Sequence, residues 1–148
     1  MVQKPRLCVG KLQRADEAWI PEDKLKRYAL SADHDRGADK ARLFEQWLGI
    51  GIDDWSYLRD QILYGVRDPV AVEARPTPWG LEYTVLVSVR GLNGANHVVL
   101  TAWMVRGQEP PQFTSARVLS ARRLERWLRR WEALRSRVYG SNFQARSA

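Results

Sequence analysis

The chain has 148 residues, 45% of them hydrophobic, a single cysteine and a formal net charge of +7. That length suits one domain that buries roughly two-thirds of its unfolded surface, and the composition excludes disorder throughout. No run of about 18 apolar residues occurs, which excludes a transmembrane helix, and Cys8 alone cannot build an internal disulfide framework, so a cytoplasmic setting is expected.

Residues 1–18 carry no clear period and no signal-peptide core, and read as an arm or a loose first strand. Ile20-Pro21-Glu22-Asp23 is a helix start, because proline fits the first helical position and acids suit the positive end of the dipole. Leu25, Tyr28 and Ala29 would face inward, and the turn-forming run Ser31 to Gly37 ends the segment. A second helix places Leu43, Phe44, Trp47 and Leu48 on one stripe and stops at Gly49. A third, capped by Asp53 or Asp54, aligns Trp55, Leu58, Ile62 and Leu63.

The period then changes. Leu81, Tyr83, Val85, Val87 and Val89 alternate with polar residues, an Asn93-Gly94 turn follows, and His97 through Val105 return as a second strand. This is a β-hairpin. Val70 to Arg75 and Gln112 to Val118 are shorter flanking strands. From Ser120 the pattern is helical again, with Leu124, Trp127, Leu128, Trp131, Leu134 and Val138 recurring at three- and four-residue steps. The expected fold is α+β: N-terminal helices on a roughly four-stranded antiparallel sheet, then a basic amphipathic helix. The expected division is an arm (1–18), a core domain (19–118), an Arg-rich helix (119–139) and a flexible tail (140–148).

The charge is segregated. Residues 1–116 hold 15 basic and 15 acidic side chains, whereas residues 117–148 hold nine arginines against Glu125 and Glu132, which is the whole excess. Arginine's planar fork suits phosphate and stacks on bases. Nucleic acid is therefore the expected partner. An acidic protein such as an inhibitor is a second possibility, and the interspersed glutamates argue against a membrane surface.

Three constellations can carry chemistry. The loop-to-helix junction His34-Asp35-Arg36-Gly37-Ala38-Asp39-Lys40-Ala41-Arg42 gathers cations and an imidazole where free N–H groups favour an anion. Its ordinary alternative is a solvated capping loop in which Asp33, Asp35 and Asp39 pair those cations. On the returning hairpin strand, Val98, Leu100, Ala102 and Met104 are uniformly apolar and make the expected core face. That leaves His97, Thr101 and Trp103 on a more open face, where Trp103 could stack on a base, with Thr114 or Ser115 on the next strand beside it. The third is the C-terminal helix, whose Arg122, Arg126, Arg129 and Arg130 lie off the apolar stripe. Two histidines and one cysteine, with no HExxH, CxxC or phosphate-cradling glycine loop, point to no metal and no cofactor.

Three stretches resemble a family of bacterial domains of unknown function: Ile20-Pro21-x-x-Lys24-Leu25-x-x-Tyr28-x-Leu30, His34-x-Arg36-Gly37-x-x-Lys40-Ala41-Arg42-x-Phe44, and Gly91-x-Asn93-Gly94 leading to Thr101-Ala102-Trp103-x-Val105. That family looks like small nuclease-toxin domains of the barnase–EndoU–colicin–RelE type. The resemblance implies a metal-independent ribonuclease, with His34, Lys40 and Thr114 as catalytic residues and Arg36 or Arg42 as phosphate clamps. One departure stands out: related sequences carry Thr-Ala-Tyr on the last strand, where this chain has Thr114-Ser115-Ala116-Arg117. A protein that binds nucleic acid without cleaving it, or an adaptor that docks on another protein, therefore stays open beside the enzyme.

Overall fold

The computed structural model describes residues 7–31 and 38–147. Five strands form one antiparallel meander in the order β1-β2-β3-β4-β5: β1 (Leu7–Val9), β2 (Ala71–Thr77), β3 (Gly80–Arg90), β4 (Asn96–Val105) and β5 (Gln112–Val118). The hairpin lies where the alternating pattern puts it, with Val85 opposite Thr101 and Tyr83 opposite Trp103. The arm contributes the fifth strand: β1 pairs with β2 over Leu7 to Val9. Three residues are too few for a period to show, so only the pairing reveals them.

Helix α1 (Glu22–Lys24) runs on into a π-helical turn over Leu25–Ala29. Helices α2 (Ala38–Leu48) and α3 (Trp55–Gly65) follow, and α4 (Ala121–Ser147) closes the chain. Together α1, its π-turn, α2 and α3 cover one face of the sheet. There Leu25, Phe44, Leu48, Leu58 and Ile62 pack on Val85, Val87, Val99 and Phe113 in one continuous core. Helix α4 covers the opposite face, where Trp127 and Leu119 pack on Ala71 and Leu86 with Leu124, Leu128 and Trp131 around them. Trp131 anchors that helix by donating its Nε1–H to the Val72 carbonyl at 2.8 Å. The helix runs through Gly140 to Ser147, beyond the sequence-based boundary. The Val138 side chain lies outside the described ones. Among the described residues, no helix is long and apolar enough to cross a membrane.

The two faces of β4 are reversed from the expectation. Val99, Thr101, Trp103 and Val105 point into the main core, with Trp103 fully buried. Val98 and Leu100 are only partly buried, beneath α4. Trp103 is therefore no stacking platform. The polar atoms that suggested an open face are satisfied internally: Trp103 Nε1–H donates to Thr101 Oγ1, and that hydroxyl donates to the Val85 carbonyl, both at 2.8 Å. A buried pair that bonds itself and the backbone needs no solvent. Trp103 also meets Phe113 edge-on, their ring centroids 5.6 Å apart.

The hairpin turn has a second task, which is to hold the end of α2. Asn93 Nδ2 donates to the Trp47 carbonyl at 3.1 Å, and Asn93 N–H reaches the Leu48 carbonyl at 3.4 Å. The last carbonyls of a helix have no partner within it, so this turn caps them. A Cβ on Gly91 would lie 2.4 Å from the Leu48 carbonyl oxygen, and Gly94 takes φ 85°, so both positions require glycine.

Thr101→Val should destabilise the fold by about 1–3 kcal/mol, because it strands the buried Trp103 N–H. Thr101→Ser, which keeps the hydroxyl, should lose less; urea unfolding of both variants measures the difference.

Candidate anion-binding cleft

Strand β5 is the outer strand of the sheet on this side. Trp19 extends it near its start: Phe113 N–H donates to the Trp19 carbonyl at 3.0 Å. At its other end, β5 and the residues that follow it meet the exposed side of α2. A cleft of about 490 Å³ opens there, lined by Lys40, Arg42, Leu43, Trp47, Arg117, Val118, Ser120 and Arg123.

Each element delivers its part for a local reason. Lys40, Leu43 and Trp47 stand three and four residues apart, so they share one side of α2. Phe44 and Leu48, on the adjacent stripe, are fully buried and fix the rotation of that helix. Arg117 is opposite Leu100 in the ladder, on the α4 side of the sheet. Because β5 is an edge, its long side chain comes within interacting range of Lys40. Ser120 caps α4: its Oγ accepts the Arg123 N–H at 3.2 Å, and its carbonyl takes the Leu124 N–H at 2.9 Å. The positive end of the α4 dipole thus sits at the cleft.

The electrostatics are one-sided. Two lysine and arginine side chains from α2 meet two arginines from the β5–α4 junction, and no acid lines the cleft among the described residues. The first turn of α4 contains no acidic residue and instead carries Arg122 and Arg123, the unfavourable sign for a helix start. Lys40 is half-buried, and that desolvation lowers its pKa below the ordinary 10.5, with repulsion from Arg117 adding to the effect. Lys40 and Arg117 are both half-buried and repel one another, which is unfavourable alone and favourable around an anion.

The sequence-based candidates divide four ways. Lys40 and Arg42 line the cleft. Thr114 falls at the bulge that shifts the β4–β5 register and is not part of the lining; it precedes Arg117 by three residues, about 10 Å along a strand. Arg122, Arg126, Arg129 and Arg130 are exposed on α4 outside the lining, and Arg129 pairs with Glu125 at 2.7 Å. His34 and Arg36 lie outside the described residues. Sequence reasoning missed Arg117, Ser120 and Arg123 as site residues, although the serine N-cap ahead of an apolar stripe was a legible signal.

Fold and site together define an α+β domain whose antiparallel meander, helix-covered on both faces, carries a basic cleft at its outer edge. The chain belongs to the family described as Domain of unknown function (DUF6883), whose model matches residues 11–120. Lys40, Arg42, Arg117 and Ser120 lie within that match, and Arg123 lies three residues beyond it. No curated protein and no solved structure matches the chain.

Because the Lys40 pKa is lowered on folding, the unfolded chain binds more protons between the lowered value and 10.5, so this residue's contribution to stability rises with pH through that window. Lys40→Met should remove this part of the alkaline slope and raise stability at neutral pH and low salt. Inorganic phosphate should raise the melting temperature of the wild type more than that of Lys40→Met. Thermal melts across pH, with and without phosphate, check all three outcomes.

Proposed function

We propose that this domain binds single-stranded RNA through its phosphates, one of them seated in the cleft. The observation that carries this reading is the convergence of Lys40, Arg42, Arg117 and Arg123 on one cavity. Binding a polyanion there relieves the repulsion between Lys40 and Arg117 and releases counterions from the strand. Arg123, Arg126 and Arg130 follow at three- and four-residue steps along α4, so the basic stripe continues from the cleft for about 10 Å of helix. A cavity of this size accepts a nucleotide and excludes a duplex, which supports a single strand. The resemblance to nuclease-toxin domains supports RNA over DNA.

The lowered Lys40 pKa favours a second reading, metal-independent cleavage at the seated phosphodiester. The ribose 2′-hydroxyl would attack phosphorus while His34 takes its proton. The bond to the 5′-oxygen would break, that oxygen would receive a proton from Lys40, and a 2′,3′-cyclic phosphate would remain. Arg42 and Arg117 would stabilise the charge that develops on phosphorus. Thr114 has no part in this scheme.

Fluorescence anisotropy with a labelled single-stranded RNA, read between 50 and 300 mM KCl, tests the binding. Affinity should fall steeply with salt, and Lys40→Ala and Arg117→Ala should each weaken it several-fold and flatten the logarithmic salt slope by about 0.7. Binding that ignores salt, or that both variants leave intact, refutes the proposal. Incubation with RNA and EDTA addresses cleavage: a cyclic-phosphate product lost in His34→Ala and Lys40→Ala supports the enzyme, and intact RNA restricts the domain to binding.

A further inference from the structure

The cleft is not uniformly cationic. Leu43, Trp47 and Val118 give it an apolar wall beside the four cations, and a bare phosphate has no use for such a wall. A nucleotide has: it joins a flat, weakly hydrated base to a phosphate through one sugar.

Trp47 is held as a platform for that base. His97 packs on its ring, the centroids 5.4 Å apart and the planes 29° from parallel. The Asn93 amide fixes the Trp47 carbonyl at 3.1 Å, so backbone and indole are both constrained before any ligand arrives. A rigid aromatic loses little entropy on binding. The volume of about 490 Å³ falls within the range of small-ligand sites. The Ser120 hydroxyl, which accepts the Arg123 N–H at 3.2 Å, keeps its own proton to donate to a ribose or phosphate oxygen.

We infer that the cleft is a one-nucleotide subsite in which a nucleobase stacks on Trp47 while Lys40, Arg42, Arg117 and Arg123 take the adjoining phosphates. The inference rests on the RNA-binding reading and adds the recognition of a base. Stacking uses a π-face that every base possesses, so the subsite tolerates any base identity.

The test compares a uridine pentanucleotide with the same backbone carrying abasic sites, using wild type, Trp47→Leu, Trp47→Phe and Lys40→Ala. Wild type should bind the base-bearing strand about tenfold or more tighter than the abasic strand. Trp47→Leu should erase that preference and leave the salt slope intact, and Trp47→Phe should retain most of it. Equal affinity of wild type for the two strands, with Lys40→Ala weakening both, overturns the stacking subsite and leaves the phosphate reading standing. No salt-dependent binding of either strand overturns both. A preference that survives in a folded Trp47→Leu variant places the stacking elsewhere and overturns the assignment to this cleft.

Discussion

Gly91 lies so near the last turn of α2 that no side chain fits between them, and Asn93 fills the carbonyls that α2 leaves open at Trp47 and Leu48. This contact between a hairpin turn and a helix end fixes α2 along the outer edge of the sheet. It sets the height of Lys40, Leu43 and Trp47 relative to β5, and hence the wall of the cleft. The opposite wall follows from the chain path, since β5 runs through Arg117 directly into the Ser120 cap of α4. Two segments 70 or more residues apart in sequence meet because each is locked to the same short stretch of sheet.

What this framework brings together is unfavourable on its own. Four cations line one cleft at the positive end of a helix dipole, and burial, with Arg117 beside it, lowers the Lys40 pKa. Ordinary surface charges spread out or pair with acids, as Arg14 and Glu17 do on the first loop. A half-buried lysine beside a half-buried arginine, with no acid in the cleft lining among the described residues, suits an anionic ligand.

Much of the architecture was legible in the sequence because it rests on periodicity. The hairpin, the three helices that carry the core stripe and the apolar seam of α4 all follow from spacing. Which face of β4 would be buried was not legible, since alternation separates two faces and cannot rank them once both are covered. Thr101 and Trp103 read as an open polar face, yet on their shared side of the strand the Trp103 N–H donates to the Thr101 hydroxyl and that hydroxyl donates to the Val85 carbonyl. Two of the three stretches that carried the resemblance prove largely structural: Ile20, Leu25 and Leu30 are core residues, and Gly91, Asn93, Thr101 and Trp103 hold the hairpin and its contact with α2. Among the described residues of the middle stretch, Phe44 and Ala41 are buried, and Lys40 and Arg42 reach the cleft. Arg117 and Arg123 carried no local mark that sets them apart from the other arginines of the tail. Only the fold distinguishes them.

The central claim is that the cleft, and not the outer surface of α4, receives the phosphate. Heteronuclear NMR of the labelled protein during titration with a short single-stranded RNA tests this residue by residue. The largest shift changes should fall on Lys40, Arg42, Arg117, Ser120 and Arg123, saturating together at one affinity. Changes confined to Arg122, Arg129 and Arg130, with the α2 and β5 signals unmoved, would contradict the account.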